Sequence, residues 1–185
     1  SAFTKANHSL AVTSCTAGMA LALSALDLSI GDEVIVPSNT FIATWLAVTQ
    51  CGAIPVPVEP NADTYNIDAS LIEAKITQRT KAIIPVHLHG PPAYLDEILK
   101  LNAGVIIIFD EVMTGFGRTG KMFAADYLKN KPDIMCLAKS MTGGYIPLAA
   151  TIFSEKIHNE FLGGDIKKSF LHGHSFSANP IACSA

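Results

Sequence analysis

Short apolar runs alternate with stretches of helical spacing along most of this chain. The runs are four to six residues long, rich in Val and Ile, and bounded by Gly, Pro or Asp, which is typical of buried strands. The helices predicted between these runs have about ten residues each. The predicted strands are 33–36, 54–58, 82–86, 105–109, 134–137 and 148–153, and the predicted helices are 17–28, 40–50, 69–76, 93–101 and 154–161, with another after Pro180.

Strands that alternate with helices predict right-handed crossovers and a largely parallel sheet. We therefore expect an α/β fold, a three-layer α/β/α sandwich built on a mostly parallel sheet. The 185 residues, 49% hydrophobic and 16% charged, fit one compact domain. A formal charge of -3 with two arginines argues against a nucleic-acid partner.

The cysteines and the apolar segments bear on the cellular location. Cys15, Cys51, Cys136 and Cys183 are far apart and form no CxxC pair, which favours a reduced protein over a disulfide or zinc framework. No run reaches the roughly 20 apolar residues of a membrane span. We expect a cytoplasmic protein that does not enter a membrane.

Two of the predicted strands end in a charged residue. Asp110 follows the run 105–109, and Lys139 follows 134–138. Open α/β sheets bind their ligands at the carboxyl ends of the strands, and small apolar neighbours predict that Lys139 is desolvated. An amine that forms an imine, and a carboxylate that keeps a pyridine nitrogen protonated, are what pyridoxal 5'-phosphate requires. The alternatives are a helix cap or ion pair for Asp110 and a solvated surface position for Lys139.

The segment before the first predicted helix is suited to an anion. Ser14, Cys15 and Thr16 would bring hydroxyls and free backbone amides to the end of the helix that favours negative charge. A phosphate monoester fits this arrangement, and an ordinary helix cap is the alternative. Phe41 opens a later helix, where it is either part of the core or a face for a flat ring.

Other motifs indicate different chemistry. Residues 115–121 match GxxxxGK, and 105–111 resembles the acidic strand of a nucleotide-hydrolysing P-loop protein. Against this, Met122 stands where the magnesium-binding hydroxyl belongs, and the loop follows the acidic strand instead of a strand of its own. The pairs 87–89 and 172–174 are His-x-His without a third ligand at a recognisable spacing, so we expect no metal site.

Longer segments carry two family resemblances. The segments that resemble DegT-type sugar aminotransferases, a branch of the fold-type I pyridoxal-phosphate enzymes, are 12–17, 31–44 (GDEVIVPSNTFIAT), 76–83 and 85–90. The segments that resemble class III aminotransferases, most closely the branch acting on 8-amino-7-oxononanoate in biotin synthesis, are 109–121 (FDEVMTGFGRTGK), 132–139, 172–176 and 179–180. The resemblance changes within 99–104, which predicts a chimera or a fragment.

The first resemblance implies how one part of the cofactor is held. Ser14, Cys15 and Thr16 would line the phosphate site, and Phe41 would stack on the pyridine ring of pyridoxal 5'-phosphate. Both families imply transamination from a small amino donor to a keto acceptor. The acceptor would be a keto-sugar nucleotide or a keto acid-type substrate such as 8-amino-7-oxononanoate.

The second resemblance implies the remaining roles. Asp110 would pair with the pyridinium nitrogen, Val112 would pack on the other ring face, and Lys139 would form the Schiff base. Ser175 would touch the phosphate of the neighbouring subunit, which implies a homodimer. A noncatalytic scaffold of the same fold and a P-loop-like nucleotide-binding protein are the alternatives.

The domain organisation follows from the same resemblance. We expect residues 1–185 to form a single cofactor-binding core, the large domain of these enzymes, without the C-terminal small domain that carries substrate contacts in both families. Such a core would capture the cofactor rather than turn over efficiently.

Overall fold

A seven-stranded sheet is the centre of the computed structural model, which describes residues 8–88, 93–101, 104–162, 175 and 177–184. The strands are β1 (His8–Val12), β2 (Glu33–Pro37), β3 (Ile54–Val58), β4 (Thr80–Ile83), β5 (Ile106–Asp110), β6 (Ile134–Leu137) and β7 (Ala149–Phe153). The helices are α1 (Cys15–Ser24), α2 (Ala43–Gln50), α3 (Ala69–Ile72), α4 (Leu95–Lys100), α5 (Glu155–Glu160) and α6 (Pro180–Ser184). Short 3₁₀ turns cover Glu73–Lys75, Ala124–Tyr127 and Lys139–Met141. Within these described ranges, no helix is both long and apolar enough to cross a membrane.

The sheet is mostly parallel, as the sequence predicts. Its strand order is β1-β7-β6-β5-β4-β2-β3. The five strands from β6 to β3 run parallel to one another, whereas β7 runs antiparallel to both of its neighbours. The carboxyl ends of β4, β5 and β6 therefore lie side by side at one edge, where open α/β sheets bind ligands.

Helices cover both faces of the sheet. Successive residues of a strand point to opposite faces. In β5, Ile108 packs in the core cluster that includes α1, α2 and α5, whereas Ile107 and Phe109 pack in the cluster that includes α3 and α4. Strands buried on both faces need apolar residues throughout, so their sequences are continuous apolar runs. This arrangement forms the predicted three-layer sandwich.

Strand β1 was not predicted from the sequence. This strand lies at the edge of the sheet, pairs with β7, and begins with the polar residues His8 and Ser9, which carry little strand signal. Side chains of α5 hold its start in place. His8 Nε2 lies 2.7 Å from Glu155 Oε2, and the His8 ring stacks on the His158 ring at 3.6 Å.

Local chemistry explains two of the differences between the predicted and the observed element boundaries. Helix α1 begins at Cys15, two residues earlier than predicted, because the Ser14 hydroxyl accepts a hydrogen bond from the Ala17 amide at 3.2 Å and caps the helix. Strand β4 ends before Pro85, which lacks the amide hydrogen that would continue the ladder. Val86 still forms an isolated parallel bridge with β5.

Helix α1 approaches β7 closely because Gly18 has no side chain. A Cβ at this position would lie 2.6 Å from Thr151 Oγ1 and 3.3 Å from Val12 Cγ2. We expect Gly18→Ala to lower the free energy of unfolding by about 1–3 kcal/mol, measured by urea denaturation, because the helix must move away from the sheet. Thr151 Oγ1 has no hydrogen-bond partner within the described residues. Thr151→Ala should therefore recover most of the loss, and a double variant no more stable than Gly18→Ala would contradict this account.

Candidate functional site

A cavity of about 610 Å³ lies at the carboxyl edge of the parallel strands. Its walls come from the start of α1, the segment leading into α2, and the ends of β5 and β6. Seven of the eight site residues predicted from the sequence line it, namely Ser14, Cys15, Thr16, Phe41, Asp110, Val112 and Lys139. The eighth, Ser175, is exposed in a turn and does not line the cavity of this chain.

The first turn of α1 forms one end of the cavity. Ser14, Cys15 and Thr16 line it, and no acidic residue occupies the first turn of the helix. The free amides at a helix start attract anions, so this end of the cavity is suited to a phosphate group. A hydrogen bond with the Cys136 thiol, together with burial, raises the pKa of the Cys15 thiol well above its ordinary value. Cys15 is therefore a neutral thiol that adds no negative charge here.

Asp110 places a buried carboxyl in the cavity wall. It is the last residue of β5, is 9% exposed, and accepts a hydrogen bond from the Val112 amide at 3.0 Å through Oδ1. Burial raises the pKa of Asp110, although the Val112 amide and the charge of Lys139 oppose that rise. A buried carboxyl is stabilised by a cationic partner, which a protonated pyridine nitrogen would provide.

Lys139 lies beyond the end of β6, the strand next to β5. Its backbone has a φ of +44°, in the left-handed region that costs a residue with a Cβ about 1–2 kcal/mol. Its Nζ lies 3.9 Å from the Met113 sulfur, inside the cavity. The expectation that small neighbours would desolvate Lys139 is wrong for this chain, because Lys139 is exposed.

Two apolar residues offer surfaces for a flat ring. Phe41 lines the cavity just before α2 and is 72% exposed, so its ring is not part of the core. Val112 also lines the cavity and is half-buried against the core cluster beneath α1. The sequence left the position of Phe41 open between core and cavity, and the structure places it in the cavity.

His87 lines the cavity, although its sequence context predicts an ordinary strand or loop histidine and no metal site. It is fully buried after β4, and its Nδ1 accepts a hydrogen bond from the Ala93 amide at 3.1 Å. Burial lowers the pKa of His87 to about 4, so the ring is neutral at pH 7. With Nδ1 accepting, the proton is on Nε2, which has no partner within the described residues. His89, the other member of that pair, and the pair 172–174 lie outside the described residues.

Glu111 supports the loop that follows Asp110. Its side chain is fully buried and accepts hydrogen bonds from Thr114 Oγ1 at 2.8 Å, from the Ala124 amide at 2.8 Å and from the Ala125 amide at 2.6 Å. Burial raises the pKa of Glu111, and these three hydrogen bonds oppose the rise. The carboxylate thus joins the turn after β5 to the 3₁₀ turn that precedes β6.

Glu111→Gln should destabilise the protein strongly. The amide would place an NH₂ group against one of the donors that Glu111 now accepts from, leaving a buried donor unpaired. We expect the free energy of unfolding in urea to fall by about 2–4 kcal/mol. The exposed Glu73 is the matched control, and Glu73→Gln should leave the urea midpoint unchanged. Equal midpoints for the two variants would contradict the role given to Glu111.

The P-loop alternative does not match the structure. Residues 115–121 form turns that follow β5 directly, and the next element is the 3₁₀ turn Ala124–Tyr127, not a helix that could hold a phosphate at its start. Lys121 Nζ donates to the Asp126 carbonyl at 2.8 Å and lies 4.3 Å from the centre of the Tyr127 ring. It is therefore engaged within its own loop.

Two sequence families match this chain, each over more than half of it. The model of the DegT/DnrJ/EryC1/StrS aminotransferase family matches residues 1–119, and that of the class-III aminotransferases matches residues 87–185. The chain is 55% identical over 91 residues to the erythromycin biosynthesis sensory transduction protein EryC1 of Saccharopolyspora erythraea, covering 49% of this chain and 25% of that protein. It is 51% identical over 96 residues to the adenosylmethionine-8-amino-7-oxononanoate aminotransferase of Staphylococcus aureus, covering 50% of this chain and 21% of that protein.

Solved structures share the same fold. The S. venezuelae protein DesV in complex with a ketimine intermediate is 32% identical with a TM-score of 0.73, over 86% of this chain and 43% of that chain. The 3-amino-5-hydroxybenzoic acid synthase is 30% identical with a TM-score of 0.70, over 95% of this chain and 48% of that chain. The predicted fold of the fold-type I transferases is thereby confirmed, and the chain spans less than half the length of these proteins.

Proposed function

Because this chain belongs to the DegT/DnrJ/EryC1/StrS aminotransferase family through residues 1–119 and to the class-III aminotransferases through residues 87–185, we propose that it is the cofactor-binding core of an aminotransferase dependent on pyridoxal 5'-phosphate. The observation that carries the proposal is that residues of both family matches line one and the same cavity. Ser14 and Phe41, which only the first family's match includes, line it together with Asp110, which both matches include, and Lys139, which only the second includes.

The donor set of the cavity fits this cofactor. The start of α1, with Ser14 and Thr16, suits the phosphate group, and the buried carboxyl of Asp110 suits the pyridinium nitrogen. The exposed ring of Phe41 and the side chain of Val112 suit the two faces of the pyridine ring. We propose these roles for the residues named.

Lys139 is the proposed catalytic residue. Bound pyridoxal phosphate supplies an electrophilic aldehyde carbon and a ring that accepts electrons. The Lys139 amine would condense with that carbon with loss of water, which is the Schiff-base role proposed for it. Once displaced by the amino donor, it would move a proton between the donor's α-carbon and the cofactor's C4' carbon. Asp110 would hold the proton on the pyridine nitrogen throughout.

A second copy of the chain is proposed to cover the cavity mouth. Besides Phe41, three apolar side chains close in sequence to cavity residues are exposed, namely Ile42 (57%), Leu46 (43%) and Tyr145 (91%), which follows Gly144. Apolar surface of this kind at a cavity mouth favours a protein interface. In a homodimer, Ser175 would contact the phosphate group of the cofactor bound to the other subunit. Sedimentation velocity should show a dimer, and Ile42→Glu should convert it to a monomer.

The substrates are proposed from the two families that the segments of this chain resemble. Small amino donors would serve both, and the acceptor would be a keto-sugar nucleotide or a keto acid-type substrate such as 8-amino-7-oxononanoate. The free thiols of Cys15, Cys51, Cys136 and Cys183 support a reducing compartment such as the cytoplasm.

Amino transfer is tested by its first half-reaction. The protein loaded with pyridoxal phosphate is mixed with a panel of amino acids and adenosylmethionine, and the conversion of the cofactor to pyridoxamine phosphate is followed by chromatography. We expect conversion with at least one donor. A protein that binds the cofactor and converts none of it would instead be the noncatalytic scaffold.

A further inference from the structure

The amine of Lys139 has a neutral neighbour in the cavity. Nζ lies 3.9 Å from the Met113 sulfur, the separation of a weak hydrogen bond to a thioether. Met113 lines the cavity, is 41% exposed, and belongs to the turn that follows Asp110. Met113 therefore contacts the Lys139 amine, which is the reactive group of the proposed function.

The backbone holds both side chains in position. They follow adjacent parallel strands whose ends are paired, Asp110 opposite Cys136. The turn carrying Met113 is closed by a hydrogen bond from the Gly115 amide to the Glu111 carbonyl at 3.0 Å, and a Cβ at Gly115 would lie 3.1 Å from that carbonyl. Lys139 starts from a fixed left-handed backbone conformation.

We propose that Met113 is a positioning residue for Lys139: its thioether accepts a hydrogen bond from Nζ and orients the amine in the cavity without adding negative charge. The inference rests on the proposed function for its purpose. The contact itself is a property of the cofactor-free chain.

The absence of charge matters because only the neutral amine is a nucleophile. A carboxylate beside Nζ would stabilise the ammonium form and raise the pKa of the amine. Two titratable groups already interact electrostatically with Lys139: the carboxyl of Asp110 on β5 and the thiol of Cys15 on α1. The charge of Lys139 acts to lower the pKa of each. A thioether orients the amine and leaves this balance unchanged.

Three substitutions at position 113 separate orientation from packing. Met113→Leu keeps the volume and removes the acceptor, Met113→Gln keeps a neutral acceptor, and Met113→Glu adds a charge to it. Met122→Leu is the matched control, because Met122 is also 41% exposed but does not line the cavity. Circular dichroism establishes that each variant is folded.

The first readout is independent of the cofactor. Lys139 of the unloaded chain is labelled with 2,4,6-trinitrobenzenesulfonate across a pH series and quantified by peptide mass spectrometry, with Lys156 as the internal reference. We expect Met113→Glu to move the labelling midpoint of Lys139 upward by about one pH unit, whereas the Leu and Gln variants keep the wild-type midpoint. An unmoved midpoint in Met113→Glu overturns the proposal, whether or not the chain binds pyridoxal phosphate.

The second readout is the rate at which the yellow absorbance of the bound cofactor appears after mixing. We expect Met113→Leu to slow it about threefold, and Met113→Gln and Met122→Leu to match the wild type. A Leu variant as fast as the wild type, or a Gln variant as slow as Leu, overturns the proposal. If the wild type shows no absorbance change on mixing with pyridoxal phosphate, the proposed function is wrong. The pH midpoint of Lys139 labelling then still tests the role of Met113.

Discussion

Lys139→Ala is expected to abolish covalent cofactor capture and to slow the amino-transfer half-reaction at least about 10³-fold, since the variant loses both the nucleophile and the proton carrier. No other lysine among the described residues lines the cavity, so none there can replace it. The half-reaction is measured by rapid mixing of the loaded protein with an excess of amino donor. The fold should persist, because alanine and lysine both carry a Cβ and bear a similar cost at a φ of +44°.

Two further variants make the result specific. Lys139→Arg keeps the positive charge but cannot form the covalent link, and should be as inactive as the alanine variant. Lys121→Ala removes a lysine that bonds to the Asp126 carbonyl in the neighbouring loop, and should keep wild-type rates. An active Lys139→Arg protein, or equal losses in Lys121→Ala and Lys139→Ala, would contradict the assignment of the amine.

Asp110→Asn is expected to slow the half-reaction about 10²-fold or more, with the yellow cofactor still bound. Asparagine keeps an oxygen that can accept from the Val112 amide, so the turn after β5 should keep its shape. It carries no charge, and the pyridine nitrogen would lose the partner that keeps it protonated. The loss should therefore appear in the proton-transfer step rather than in cofactor affinity.

The other end of the same strand provides the control for Asp110. Asp133 Oδ2 accepts a hydrogen bond from the Ile107 amide at 3.0 Å, and Asp133 does not line the cavity. Asp133→Asn should change the half-reaction less than about threefold, within the range of surface-type substitutions. If Asp110→Asn behaves like Asp133→Asn, the carboxyl of Asp110 does not act on the cofactor ring.

The placement of Asp110 and Lys139 could be predicted from the sequence because it depends on strand periodicity alone. Both follow continuous apolar runs, and parallel strands bring such ends to one edge. The contact between Lys139 and Met113 could not be predicted in this way. It depends on the turn that Glu111 and Gly115 form after β5, which involves bonds to residues a dozen positions away.

Strand pairing within the sheet also brings the two family segments together. Strand β4 of the first segment pairs in parallel with β5, and Val86 bridges Asp110 beyond the end of β4. Strand β1, at the far end of the first segment, pairs with β7 of the second. Local sequence pattern cannot report such long-range pairing, so the sequence predicted the motifs of each segment without showing that they meet.

The exposure of Lys139 was missed for a similar reason, because it depends on what covers the cavity rather than on its neighbours in the chain.

Whether one cavity holds the cofactor is tested by the fraction of Lys139 labelled by pyridoxal phosphate after borohydride reduction, measured by peptide mass spectrometry as the cofactor concentration is raised. We expect saturable labelling on Lys139 and a higher half-saturation concentration in Phe41→Ala, because Phe41 of the first segment lines the same cavity. Labelling spread over several lysines, or a Phe41→Ala curve that coincides with the wild type, would contradict the claim that both segments hold one cofactor.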